Sequence, residues 1–157
     1  MKKESKGTKY KQRTISVWNE VAPFYHKRWA KNEVGPFGVT KKLLELSKIK
    51  KSDTVLDLAC GTGLVTKKLI RKVGSKGQIY AIDSSESAIK IAKKWTGGAK
   101  NLHFIRADAE KVQFETKFDA ITCQYALFFF PNEQKVLKNM KKLLKKEGTI
   151  TLAVHGK

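Results

Sequence analysis

The chain is poor in cysteine, in acidic residues and in arginine, and it contains no long hydrophobic run. Its two cysteines, Cys60 and Cys123, are too few for a disulfide framework and lack the paired spacing of a zinc site. Both are expected to be reduced. The longest apolar stretch, Tyr125 to Phe130, is far shorter than the roughly 20 residues a membrane-crossing helix requires. No apolar segment of the secretory type stands at the N-terminus, so a cytoplasmic location is expected. Acids are outnumbered, 14 Asp and Glu against 33 Lys and Arg, for a formal charge of +19. A field of that size draws nucleic acid, anionic membrane or acidic ligands. Yet arginine, the residue that forks onto phosphate and stacks on bases, occurs only at Arg13, Arg28, Arg71 and Arg106. The lysines recur along the outward faces of the expected helices, Lys90, Lys93 and Lys94 on one and Lys135, Lys138, Lys141, Lys142, Lys145 and Lys146 on another. The charge therefore reads first as solvated helix faces, with a nucleic-acid partner left open.

Between those shortages lies material for one globular domain, 157 residues at 41% hydrophobic content, enough to bury about 70% of the surface the unfolded chain exposes. Residues 1–13 carry Lys2, Lys3, Lys6, Lys9, Lys11 and Arg13 with little apolar content. They are expected to form a basic, disordered tail preceding a domain over residues 14–157. Trp18 to Trp29 and Val39 to Leu46 read as helices covering a sheet, and Val136, Leu137, Met140, Leu143 and Leu144 repeat at helical spacing.

The most informative segment is Val55-Leu56-Asp57-Leu58-Ala59-Cys60-Gly61-Thr62-Gly63. It is an apolar strand running into a glycine turn, then into a helix with Val65, Leu69 and Val73 on one face. Gly61 and Gly63 admit backbone angles closed to other residues and let a ligand approach the main chain, beside a helix N-terminus with unpaired N–H groups. A dinucleotide fingerprint would place a third glycine where Thr66 stands, and a phosphate-binding loop would need Gly-Lys-Ser/Thr where Gly63-Leu64-Val65 stands. Asp57 instead suits a ligand carrying positive charge.

Asp57-Leu58-Ala59-Cys60-Gly61-Thr62-Gly63 resembles the first motif of the class I S-adenosylmethionine-dependent methyltransferases. Three further stretches fall in that family's order. Gln78 to Asp83 resembles the second strand, whose terminal acid binds the ribose hydroxyls, and Ser84-Ser85 follows it at a helix start. Leu102 to Ala109 resembles the third strand and the turn whose Asp side chain and next backbone N–H recognise adenine. Phe118 to Leu127 resembles the fourth strand, and Gly148 to Val154 the fifth. The resemblance implies an α/β, Rossmann-like, doubly wound and mainly parallel sheet of about five strands in the order 3-2-1-4-5. It implies S-adenosylmethionine as cofactor, with Asp57, Ala59, Cys60, Gly61, Thr62, Gly63, Asp83, Ser84, Asp108, Ala109 and Gln124 at its site. Trp18 to His26 further resembles the N-terminal segment of the small-molecule branch typified by ubiquinone and menaquinone C-methyltransferases, so the implied acceptor is a small molecule. Ala59 stands where glycine is commoner in the motif, a change expected to cost little.

Taken singly these residues have plainer readings. Asp83 could serve only as a carboxylate near a helix N-terminus, favoured by about 0.3–1 kcal/mol, and Asp108 could merely end a strand. What favours a site is convergence, since Asp57, Gly61, Asp83, Asp108 and Gln124 all fall at the carboxyl ends of expected strands, where the order reverses. Tyr25, His26 and Tyr125 border the acceptor side in the family and are the candidates for an assisting base. His155 falls just past the fifth strand. The family's last two strands have no counterpart here, which leaves Thr149 to Val154 as an expected apolar edge open to self-association. Against methyl transfer to small molecules stand two other readings, an RNA-modifying enzyme suggested by the charge and a cofactor-binding or interaction module suggested by the missing strands.

Overall fold

The computed structural model describes residues 6–156. Its elements run α1 (Lys6–Tyr25), α2 (Thr40–Leu46), β1 (Thr54–Leu58), α3 (Leu64–Val73), β2 (Gln78–Asp83), α4 (Glu86–Thr96), β3 (Leu102–Arg106), β4 (Phe118–Gln124), α5 (Glu133–Leu143) and β5 (Leu144–Ala153). The five strands form one sheet in the order β3-β2-β1-β4-β5, every neighbouring pair parallel. This is the expected topology, and it opens a crevice between β1 and β4, where the chain reverses its direction of travel across the sheet.

The two-residue period of a strand divides the core between the faces. Val55, Ile79 and Ala120 point to one side and join Leu43, Leu44, Val65, Leu69 and Val73 from α2 and α3. Leu56, Leu58, Ile82, Ile121 and Cys123 point to the other and meet Val136, Met140 and Leu143 of α5, joined by Phe118, where the pairing of β4 with β5 shifts register. Lys135, Lys138, Lys141 and Lys142 lie on the exposed side of α5, as do Lys90, Lys93 and Lys94 on α4, so these lysines are indeed solvated faces. The strand expected from Gly148 starts four residues earlier, because Leu144 leaves the helix in extended conformation (ψ 149°) and pairs opposite Phe118.

Residues 6–13 correct the expectation of a disordered tail, for they are the first turns of α1; residues 1–5 lie outside the described residues. Two features stabilise this helical start. Lys, Gln and Arg are good helix formers, and α1 lies over the sheet's carboxyl edge with Ile15, Trp18, Ala22 and Tyr25 facing inward. The Lys11 ammonium lies 2.8 Å from Asp108 and 3.2 Å from Glu110. Further along, Asn19 Oδ1 accepts from Ser85 Oγ at 2.8 Å and from the Ser87 N–H at 3.2 Å, pinning α1 to the start of α4. Pro23, which has no N–H to donate, interrupts the ladder near the end, and the chain passes into a π-helical turn over His26–Ala30.

Candidate functional site

Above the carboxyl ends of the strands lies an open cleft. All eleven residues singled out from the sequence line it: Asp57, Ala59, Cys60, Gly61, Thr62, Gly63, Asp83, Ser84, Asp108, Ala109 and Gln124.

The turn after β1 is built from left-handed backbone. Ala59 has φ 57°, Gly61 φ 54° and Gly63 φ 92°. A Cβ drawn on Gly61 would meet nothing within 4 Å, so the main chain there is approachable from the cleft. Gly63 serves packing instead, since a Cβ there would fall 2.9 Å from the Ala92 Cβ on α4. Ala59 corrects the expectation of negligible cost, because an L-residue in the left-handed region is strained by about 1–2 kcal/mol relative to glycine.

Beneath the turn, Asp57 is 1% exposed. Thr66 Oγ1 lies 2.5 Å from one carboxyl oxygen and Thr122 Oγ1 3.1 Å from the other. Thr66 thus fills the third-glycine position with a hydroxyl that orients the acid, a role without a separate signal in the sequence. Burial drives the Asp57 carboxyl up to about 7; the two hydroxyls pull it down and nearby Asp83 pushes it up. An unfolded aspartate loses its proton near 3.8, so between that value and about 7 folding must keep a proton the unfolded chain releases, and stability falls as pH rises through this window. Asp57→Asn removes that dependence. Relative to the parent, the variant is expected to gain about 2–3 kcal/mol between about pH 5 and pH 8. Denaturant titrations at the two pH values check this, and a constant difference between the proteins would contradict it.

Asp83 sits at the end of β2 with one carboxyl oxygen accepting from the Gly61 N–H and the other from the Ser85 N–H, both at 2.8 Å. Burial raises its pKa, opposed by those N–H groups. Each oxygen keeps a second lone pair for a donor in the cleft. At the far end Asp108 accepts from Lys11 and from the Glu110 N–H; these contacts outweigh burial and hold its carboxyl below the usual range. Thr62 Oγ1 and Gln124 Oε1 are buried without a hydrogen-bond partner among the described residues. Unpaired buried polar atoms aimed into a cleft suit a ligand with both donors and acceptors.

The opposite wall is aromatic. Trp18, Tyr25, Phe37, Tyr125, Phe129 and Phe130 line it, with Trp18 edge-on to both Tyr25 and Phe129 at centroid distances of 5.1 and 5.5 Å. Burial and neighbouring Tyr125 push the Tyr25 hydroxyl up to about 12. Tyr125 has φ 51° and stacks on His155 at 4.6 Å. Of the candidate bases, His26 is not brought to the cleft; it packs edge-on against Trp95 at 4.6 Å, where burial and the charges of Lys31 and Lys67 lower its pKa. Lys11, Thr14 and Ile15 also line the cleft and are missed by sequence reasoning, because a basic polar stretch carries no apolar period to announce a helix.

A family model described as a methyltransferase domain matches residues 49–156. Among curated proteins the chain is 34% identical over 118 residues to the ubiquinone/menaquinone biosynthesis C-methyltransferase UbiE of Pseudomonas fluorescens (strain Pf0-1), covering 73% of this chain and 46% of the relative. It is 32% identical over 126 residues to the demethylmenaquinone methyltransferase of Staphylococcus aureus (strain MRSA252), covering 80% and 48%. The chain spans about half the length of these curated relatives. Among solved structures, an S-adenosylmethionine-dependent methyltransferase from Aquifex aeolicus superposes with a TM-score of 0.64 at 26% identity, covering 74% of this chain and 65% of that one.

Proposed function

The chain belongs to the methyltransferase domain family, in its class I S-adenosylmethionine-dependent form, and on that premise we propose that it transfers a methyl group from S-adenosylmethionine to a small-molecule acceptor. The observation that carries the reading is the convergence of Asp57, the Gly61 turn, Asp83, Asp108 and Gln124 on one cleft with orphaned polar atoms at its floor.

When bound, the cofactor supplies an already activated methyl on a sulfonium. The protein's part is to bind, orient and exclude water. In this reading Asp83 accepts from the ribose hydroxyls, and Asp108 with the backbone of Ala109 holds the adenine. Thr62 Oγ1 and Gln124 Oε1 have the free hydrogen-bonding capacity for the amino-acid end. A positively charged ligand above Asp57 favours the carboxylate form of an acid that burial otherwise leaves about half protonated near pH 7, so ligand binding and loss of that proton are coupled. The aromatic wall of Trp18, Tyr25, Tyr125 and Phe129 fits an apolar, planar acceptor, held against the methyl by stacking and desolvation. Alignment of this kind can supply about 7–11 kcal/mol of the barrier reduction. A cytoplasmic site of action and contact with a second copy along the outer edge of β5 belong to the same reading.

The test is incubation of the full chain with methyl-labelled S-adenosylmethionine and a panel of small aromatic acceptors, with an RNA pool as comparison. Label in a small acceptor with stoichiometric S-adenosylhomocysteine supports the reading. Label in the RNA alone would move the function to nucleic-acid modification, and binding without turnover on any acceptor would favour an interaction module.

A further inference from the structure

On its outward flank α1 carries a set of exposed apolar side chains. Tyr10, Val17, Val21 and Phe24 are 36–60% exposed. At about 100° per residue these four fall within an arc of about 60°, a single stripe along the helix. The stripe is separate from the inner face, where Lys11, Ile15, Trp18, Ala22 and Tyr25 line the cleft.

The stripe's surroundings are cationic. Between residues 6 and 31 stand Lys6, Lys9, Lys11, Arg13, Lys27, Arg28 and Lys31 against one acid, Glu20. Of these cations Lys11 alone is ion-paired among the described residues. Arg28 lies over the rings of Phe24 and Trp29 at 5.8 and 5.6 Å, so the most exposed residue of the stripe has a guanidinium beside it. No helix among the described residues is long and apolar enough to cross a membrane.

We infer that the outer face of α1 docks the protein on an anionic phospholipid surface, lying in the interface with Val17, Val21 and Phe24 among the acyl chains and the flanking lysines at the headgroups. Apolar groups in a row with long basic stems before and after them along the chain match a bilayer interface, where the stems snorkel to the phosphates. They match nucleic acid poorly, since valine offers a phosphate or base edge no hydrogen bond. The basic segment adds attraction that grows with the anionic lipid fraction and weakens with salt. The docking does not depend on the methyl-transfer reading, because none of Tyr10, Val17, Val21 and Phe24 lines the cleft.

The experiment is co-sedimentation of the full chain with phosphatidylcholine vesicles, alone or with about one-third phosphatidylglycerol, at low and moderate salt. The parent is expected to bind the anionic vesicles at least about tenfold more tightly than the neutral ones. The double variant Val17→Asp, Phe24→Asp is expected to lose at least about tenfold of that binding with its circular dichroism unchanged. Should that variant fail to fold, quenching of the parent's tryptophan emission by brominated acyl chains reads the same insertion, because Trp29 packs edge-on against Phe24 at 6.3 Å. Equal binding to neutral and anionic vesicles, undiminished binding by the double variant, absence of quenching, or binding of RNA without binding of vesicles would each overturn the inference.

Discussion

Gly63→Ala lowers the stability of the domain by about 2–5 kcal/mol, the sum of a left-handed backbone penalty and an overpacking penalty. For a chain of this size that corresponds to a drop in melting temperature of about 5–15 °C. Both contributions are visible at the position. Gly63 holds φ 92° at the N-cap of α3, and a Cβ there would approach the Ala92 Cβ to 2.9 Å and its Cα to 3.2 Å. Ala92 is fully buried and has no flexible end that could swing away. Gly97→Ala is the matched comparison, since Gly97 is also left-handed (φ 73°, ψ 17°) but an added methyl would meet nothing within 4 Å. It isolates the backbone contribution at about 1–2 kcal/mol. Thermal melts of the two variants check the account; equal losses would show that the close approach of α3 and α4 is not what requires glycine at position 63.

Asp83→Ala weakens S-adenosylmethionine binding by about 1.5–3 kcal/mol, or roughly 10- to 150-fold, the range for hydrogen bonds to a charged group. Two effects act together. The variant loses the acceptor proposed for the ribose hydroxyls, and it releases the Gly61 N–H that Asp83 holds at 2.8 Å, loosening the turn proposed to lie beneath the ligand. Asp83→Asn separates them: its amide oxygen can still accept from one N–H, but the amide nitrogen then faces the other donor. An intermediate loss is expected. The measurement is calorimetric titration of each folded variant, and unchanged affinity in Asp83→Ala would remove this residue from the site.

The parts of this fold legible in the sequence are those where one local rule acts undisturbed. Val55 to Leu58 alternates between two cores and ends in a glycine turn, so strand, turn and helix are all readable, and with them the crevice at β1 and β4. Asp83 is readable because an acid at a strand end followed by a helix start is a local pattern, and Asp108 because it stands two residues past the end of β3. Residues whose state depends on distant contacts are not. Lys6 to Arg13 has the composition of a solvated tail, and its helix is fixed by Lys11 reaching Asp108 and Glu110 almost a hundred residues away. Thr66 reads as a failed glycine position in one dimension and becomes a ligand of the Asp57 carboxyl in three. His26 shares a segment with cleft-lining Tyr25, but the turn after Pro23 carries it to Trp95 instead. The cost of Ala59 is hidden because a backbone angle is not written in a one-residue change.

The central claim is that the cleft above β1, β2 and β4 is an S-adenosylmethionine site, and calorimetric titration of the unmodified 157-residue chain with S-adenosylmethionine and S-adenosylhomocysteine tests it most directly. Saturable one-to-one binding of both compounds is the expected result. A folded protein that binds neither would contradict it.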